Sequence, residues 1–162
     1  MAGSNHDIVY DHNQIVDMSS DNRCTNLPPY PFPMRYATGG LVEDKPIICG
    51  GRVGKCCDNS YYEKSCYIYQ KYTNEWKFLT HMNEERVYFA SAVVNNSLWV
   101  TGGYGDGLVK RRSTEFIQVD GTVVIGPNLP NPTAPNYPFH PAAFVNPPID
   151  PCHSADTDLS VA

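Results

Sequence analysis

Basic residues and long apolar runs are both scarce in this sequence of 162 residues. Lys and Arg number 12 against 17 Asp and Glu, so the formal net charge is −5 at pH 7. Binding to nucleic acid depends on clustered Lys and Arg that neutralise phosphates. No stretch reaches the roughly 18 consecutive apolar residues of a membrane-spanning helix. We therefore expect no nucleic-acid partner and no membrane span.

Catalytic and metal-binding motifs are lacking as well. The sequence has no Ser-His-Asp order with an elbow motif, and the glycine-rich segment 102–107 opens no helix, as a nucleotide-binding loop would. The five His are scattered singly, and the six Cys lack the paired short spacings of structural zinc sites. We therefore expect no metal, no cofactor and no catalytic residues.

An internal repeat is the most informative feature that is present. Segment 37–51 recurs 52 positions later as segment 89–103, and each copy has an apolar strand, a polar turn, a second apolar strand and a glycine pair. The glycine pairs are Gly50-Gly51 and Gly102-Gly103. Self-similarity at a fixed period of about 50 residues is typical of repeat architectures. The 14 Pro and 12 Gly fit short strands separated by turns.

Further residues follow the first glycine pair at fixed spacing. Tyr69 and Trp76 are separated by six residues, and Met82 and Arg86 by three, before the next copy begins. This combination resembles the kelch repeat, which implies a β-propeller built from four-stranded blades. In the second copy the loop is four residues shorter, and apolar Ile117 and Val124 stand at the places of Tyr69 and Trp76.

The resemblance predicts an all-β fold, a kelch-type β-propeller fragment with two full blades and partial blades at each end. The predicted segments are 1–7, a disordered N-terminus; 8–30, the last two strands of a partial blade; 36–82 and 86–130, two kelch blades; 138–150, the start of a further blade; and 151–162, a disordered tail. Closed propellers have about four to eight blades. We therefore expect a longer parent chain or self-association to supply the missing blades.

The cysteines leave two interpretations open. Cys49 and Cys66 can lie opposite each other on antiparallel strands, which predicts a disulfide and an oxidising compartment, and buried free thiols are the alternative. Asn95-Asn96-Ser97 is a glycosylation sequon on a predicted turn. The first seven residues have no signal-like character, although missing blades could have carried one. An extracellular location is favoured, with a cytoplasmic one as the alternative.

The candidate binding residues lie in a loop. Lys110-Arg111-Arg112 follows the second glycine pair and is either an ordinary solvated loop or part of a partner-binding patch. The resemblance to kelch repeats implies recognition of an unidentified protein partner by the blade loops, without catalysis. The alternatives are a fragment of a galactose-oxidase-like propeller enzyme, whose copper site needs Tyr, His and Cys from several blades, and an inactive truncated product.

Overall fold

The structure is a computed structural model that describes residues 13–16, 24–54 and 60–130. Regular structure in these ranges is almost entirely β-strand, with one short 3₁₀ turn at Asp106–Leu108. The strands are β1 (Asn13–Val16), β2 (Cys24–Leu27), β3 (Met34–Arg35), β4 (Thr38–Val42), β5 (Lys45–Val53), β6 (Tyr61–Gln70), β7 (Glu75–His81), β8 (Ala90–Val94), β9 (Ser97–Thr101), β10 (Thr114–Ile117) and β11 (Val123–Gly126). The predicted segments 1–7, 138–150 and 151–162 lie outside the described residues.

Two antiparallel sheets account for most of these strands. Strands β4, β5, β6 and β7 form the first blade, and the short β3 pairs with the part of β5 that β4 leaves uncovered. Strands β8, β9, β10 and β11 form the second blade. Strands β1 and β2 form a separate antiparallel hairpin ahead of the first blade. The predicted all-β fold with two four-stranded blades is confirmed.

The hairpin turns of the two blades have the same backbone conformation. Glu43 and Asp44 connect β4 to β5 with φ of 48° and 59°, and Asn95 and Asn96 connect β8 to β9 with φ of 47° and 56°. A two-residue hairpin of type I′ requires positive φ at both central residues, and Asn and Asp tolerate this conformation better than most residues. The sequence repeat therefore corresponds to a repeat of local geometry.

The strand register shows the repeat residue by residue. Arg35 pairs with Arg52 across β3 and β5, and 52 positions later Val87 pairs with Tyr104 in an isolated bridge. The loop after the second glycine pair is four residues shorter, so positions after this loop correspond at a spacing of 48. Strand residues of the first blade can thus be assigned equivalents in the second.

A shared apolar core lies between the two blades. Strand side chains alternate between the two faces of a sheet, and Ile47 and Ile68 of the first blade pack with Leu98 and Ile117 of the second. The full buried set is Val42, Ile47, Cys49, Cys66, Ile68, Met82, Phe89, Leu98, Val100 and Ile117. The Thr38 and Ser91 hydroxyls also contact each other at 2.6 Å across the junction. The blades therefore pack face to face as neighbouring sheets.

The first glycine pair lies within a strand and not at the end of one. The sequence pattern places a strand end there, whereas β5 continues through the pair to Val53 with a register shift between Cys49 and Gly51. Gly50 has φ of 62°, and a Cβ on it would lie 2.9 Å from the Phe89 ring. Because Gly has no Cβ, it allows the bulge and the close approach of the next blade. The pair is therefore a bulge within a strand.

Candidate functional site

The antiparallel order of the strands gives each blade two different ends. Two longer connections lie at one end, named here the loop end: residues 82–89 between the blades, and residues 102–113 between β9 and β10. Short turns at 43–44, 71–74, 95–96 and 118–122 lie at the other, named here the turn end. Loops on a rigid scaffold are where binding residues concentrate. The loop end is therefore the candidate site.

Arg86 holds the base of the loop end together. Its side chain is fully buried, and its guanidinium pairs with Glu115 at 2.8 Å and donates to the Gly102 carbonyl at 2.9 Å. It also donates to Ser113, through the hydroxyl at 2.5 Å and the carbonyl at 3.2 Å. A buried charge is tolerated when it is paired and hydrogen-bonded. Arg86 thereby fixes both ends of the 102–113 loop.

Arg111 adds a second tie to the same loop. It pairs with Glu84 at 3.1 Å and with Glu85. Burial opposes ionisation of Glu85, but hydrogen bonds from the Glu85 and Asp106 amides, together with the Arg111 charge, hold the pKa of Glu85 below its usual value. Glu85 therefore stays ionised, and the loop is anchored to the connection between the blades.

The structure separates the three predicted binding residues. Arg111 is held by its two carboxylates, and Arg112 donates to the Leu129 carbonyl at 2.9 Å. Lys110 is exposed and bridges to Tyr104 through its backbone. Beside it, Leu108 and Val109 are 64% and 55% exposed at the loop tip. The loop thus presents an apolar tip next to the exposed Lys110, and its binding role stays a prediction.

A cluster that the sequence pattern did not identify lies at the same end. The Arg35 side chain is only 1% exposed, and its Nε and Nη2 have no hydrogen-bond partner among the described residues. Its guanidinium lies 5.7 Å from the centre of the Tyr36 ring. Arg52, its cross-strand neighbour, donates to the Ser60 hydroxyl at 3.0 and 2.7 Å. Two arginines therefore lie side by side at the mouth of the first blade.

Two tyrosines complete this cluster. The rings of Tyr36 and Tyr88 have centroids 4.1 Å apart, and both residues have positive φ. Partial burial and a hydrogen bond with Tyr36 raise the pKa of Tyr88 to about 12, while the charges of Arg35 and Arg52 act in the opposite direction. The only sequence signal for this contact is the spacing of 52 between the tyrosines, which equals the repeat period.

The predicted disulfide is present. Cys49 and Cys66 are cross-strand partners on β5 and β6, are fully buried and are joined by a disulfide. The equivalent residues of the second blade are Thr101 and Thr114, whose hydroxyls lie 3.1 Å apart. The same pair of positions therefore links the two central strands of each blade, covalently in one and by a hydrogen bond in the other.

The remaining motif residues lie at the junctions between sheets. Trp76 is buried, donates its indole N–H to the Pro28 carbonyl at 3.0 Å and packs on Tyr30, so it lies between the first blade and the segment that follows the hairpin. Tyr69 lies on the same face, and its hydroxyl donates to Asn74. Met82 is buried in the core between the blades, where Gly103 approaches the Val87 carbonyl.

Three predictions concern glycosylation, metals and membranes. Asn95 is exposed on the turn end, where its glycosylation stays a prediction. Within the ranges that the structure describes, no group of three or more His, Cys, Asp or Glu is placed to hold a metal ion. In those same ranges no helix has the length and apolar character to cross a membrane.

Comparison with known proteins connects this geometry to a family. No family model matches the chain. Kelch-like protein 38 from Danio rerio is 34% identical over 67 residues, which is 41% of this chain and 10% of that protein. The chain thus spans about a tenth of the length of the curated relative it matches.

A solved structure shows the fold. YjhT, a kelch-type β-propeller, is similar to the chain with a TM-score of 0.61 at 14% sequence identity. The similarity covers 75% of this chain and 51% of YjhT. The chain therefore has the fold of blades of a kelch-type β-propeller.

Proposed function

We propose that these blades form a non-catalytic protein-binding module, and that a partner protein docks on the loop end. The observation that carries the proposal is the 102–113 loop, whose base is tied down by Arg86 and Arg111 while Leu108 and Val109 are exposed at its tip. Exposed apolar side chains that lie together on a protein surface are typical of sites where another protein binds. A loop that is already ordered also loses less conformational entropy on binding.

The charges around the tip support an interface of mixed character. Protein interfaces combine an apolar centre with a polar rim. Lys110 stands next to the apolar tip, and Asp106 and Glu85 border it on the other side. The partner surface is therefore expected to be apolar at its centre, with charges of both signs around it.

The number of blades in the described residues is too small for a closed propeller. The described residues contain two four-stranded blades, whereas a closed propeller takes about four to eight. We infer that further blades come from a longer parent chain or from other copies of this chain. Light scattering coupled to size-exclusion chromatography tests this on the 162-residue chain. A monodisperse monomer that unfolds cooperatively would contradict the need for further blades.

Affinity capture with matched variants tests the proposed docking surface. The double variant Leu108→Asp/Val109→Asp changes the loop tip, and Tyr72→Asp changes an equally accessible residue on the turn end, where Tyr72 is fully exposed. We expect proteins captured by the wild-type chain to be lost with the loop-tip variant and retained with the turn-end variant. Capture that survives the loop-tip change, or that disappears with Tyr72→Asp, would overturn the proposal.

Metal analysis tests the non-catalytic part separately. A galactose-oxidase-like enzyme would contain copper in stoichiometric amount. The intact parent protein, purified without chelators and analysed by mass spectrometry of its metals, is expected to contain no stoichiometric copper. One copper ion per chain would replace the binding module with the enzyme as the better interpretation.

A further inference from the structure

The starting observation is that one face of the second blade is apolar and exposed. The first blade shows how such a face is covered, because its Val42 and Ile47 lie against the second blade and are 0% and 1% exposed. At the equivalent positions of the second blade, Val94 is 40% exposed and Trp99 is half-buried. Large apolar side chains that lie together on a surface are typical of an interface. This face, named here the far face, carries Val94, Trp99, Phe116 and Val124.

The opposite face of the two-blade unit, named here the near face, is covered only in part. Leu98 and Val100 of the second blade face the first blade and are both 0% exposed. Their equivalents on the near face of the first blade, Pro46 and Ile48, are only half-buried. On the outer part of this face, Trp76 is buried and bonded to the segment that follows the hairpin. Among the described residues, the cover of the near face is therefore confined to its outer part.

The hairpin ahead of the first blade corresponds to the outer half of a blade. Shifted by the repeat period of 52, β1 and β2 fall at positions 65–68 and 76–79, within the two outer strands β6 and β7. Leu27 of β2 packs against the apolar cluster that contains Trp76. In the described structure the hairpin is a two-stranded sheet with no inner strands beside it. It is therefore half a blade, placed against the outer part of the near face.

The predicted segment 138–150 corresponds to the other half. Its residues 142–149, AAFVNPPI, align with residues 91–98, SAVVNNSL, which form β8, its turn and the start of β9. These are the two inner strands of a blade. The Leu129 amide donates to the Arg112 carbonyl at 2.8 Å, so the chain leaves the second blade at the loop end, where connection 82–89 also leads into a following blade.

We propose that two copies of this chain close one six-bladed ring, in which residues 138–150 of each copy and the β1–β2 hairpin of the other form a composite four-stranded blade. Each copy contributes two whole blades and half of each of two composite blades, so two copies give six. The proposal rests on the need for further blades inferred above and names a second copy as their source.

The number of blades decides between one copy and two. If the two halves joined within a single chain, the ring would have three blades, whereas closed propellers have about four to eight. Two copies give a number within this range. The far face of each copy then lies against the composite blade that carries the partner's hairpin, and no blade face or inner sheet edge stays open. A head-to-tail contact of this kind forms a closed ring when its rotation is completed by a whole number of copies.

One variant on each face tests the head-to-tail arrangement. Val94→Asp changes the far face. Leu41→Asp changes the near face, where Leu41 is 54% exposed and its equivalent Val93 lies close to Gly40 of the neighbouring blade. Tyr72→Asp is the control, because it adds the same charge at a fully exposed residue of the turn end. The masses of the 162-residue chains are measured by light scattering coupled to size-exclusion chromatography, and by native mass spectrometry for mixtures.

We expect the wild-type chain and Tyr72→Asp to have twice the chain mass of 18.1 kDa. Each single face variant should dissociate, with the dimer weakened about a hundredfold or more, because it buries an unpaired carboxylate. An equimolar mixture of Val94→Asp and Leu41→Asp should form a dimer with one copy of each, since one junction between them has both faces unchanged. Formation of this mixed dimer also shows that both variants are folded.

Four results would overturn the two-copy ring. A monomeric wild-type chain would assign the missing blades to a longer parent chain, and species that grow with concentration would show that the contacts do not close. A dimer that survives Leu41→Asp would show that two far faces pair directly. Absence of the mixed dimer would exclude the head-to-tail junction. If any of these occurs while loop-tip-dependent capture is intact, only the ring is removed, whereas loss of that capture removes the proposed function.

Discussion

Tyr36 stacks on Tyr88 with ring centroids 4.1 Å apart, and the two residues occupy the same position in successive repeats. Each lies just before the first strand of its blade and has positive φ, at 60° and 53°. Positive φ is unusual for a bulky residue and persists only where the surrounding structure enforces it. The contact therefore joins the blades at the loop end, beside Arg35.

The stacked pair makes stability depend on pH in the alkaline range. Burial and the hydrogen bond with Tyr36 raise the pKa of Tyr88 to about 12 from its ordinary value of 10.0. Between these values the folded chain keeps the Tyr88 proton and the unfolded chain releases it, so the free energy of unfolding falls as pH rises. We expect Tyr88→Phe to show a shallower fall than wild type in denaturant titrations across this range. Parallel curves would contradict the raised pKa.

Trp76 is expected to be a main contributor to packing against the segment before the first blade. Trp76→Ala should lower the free energy of unfolding by about 3 to 5 kcal/mol, because it removes a buried indole and leaves a cavity. The side chain is 8% exposed and bonded to the Pro28 carbonyl. Urea denaturation of Trp76→Ala beside Tyr72→Ala, which changes a fully exposed ring, provides the comparison. A loss below about 1 kcal/mol would place Trp76 outside the core.

The Arg86–Glu115 pair can be tested by a double-mutant cycle that uses the first blade as a template. Glu115→Tyr alone should cost about 3 to 5 kcal/mol, because it leaves the Arg86 charge buried without its partner. Adding Arg86→Met creates the Met and Tyr combination that Met34 and Tyr67 form in the first blade. We expect the double variant to recover most of the loss. Simple additivity of the two single changes would show that the residues do not act as a pair.

The disulfide gives the first blade a stabilising link that reductant can remove. Cys49 and Cys66 are 17 positions apart, and closing a loop of about this length stabilises a fold by about 3 kcal/mol. Reduction should therefore lower the unfolding temperature of the wild-type chain. Cys49→Thr/Cys66→Thr, which copies Thr101 and Thr114, should be insensitive to reductant. A wild-type chain whose unfolding is unaffected by reductant would contradict the link.

Local patterns made the repeat predictable. The glycine pairs, the Tyr69 and Trp76 spacing and the alternating strands each depend on backbone conformation or on burial of one strand face, and both leave a trace in nearby residues. The Cys49–Cys66 pair could be anticipated because the two cysteines lie on consecutive strands, and antiparallel pairing of such strands can bring them opposite each other. The extension of β5 beyond Gly51 could not be predicted from the sequence. A bulge interrupts the strand pairing there, and the glycine pair in the sequence indicates a strand end.

The loop end was predictable only in its position. The sequence predicts a basic cluster at Lys110-Arg111-Arg112. In the structure Arg111 and Arg112 are bonded within the chain, and Lys110 lies beside the apolar loop tip. Their carboxylate and carbonyl partners lie 17 to 27 positions away. No local spacing encodes such contacts. The sequence could therefore locate the loop but not its exposed surface.

The amino-acid sequence determined the class of fold, the repeat unit and the pairing of strands, since these depend on near-neighbour sterics and on the alternation of apolar residues. Tertiary structure decided which charges are matched. Arg86 meets Glu115 and Arg35 meets no acid in the described structure, and this difference arises only when neighbouring strands bring distant residues together in a space that excludes water.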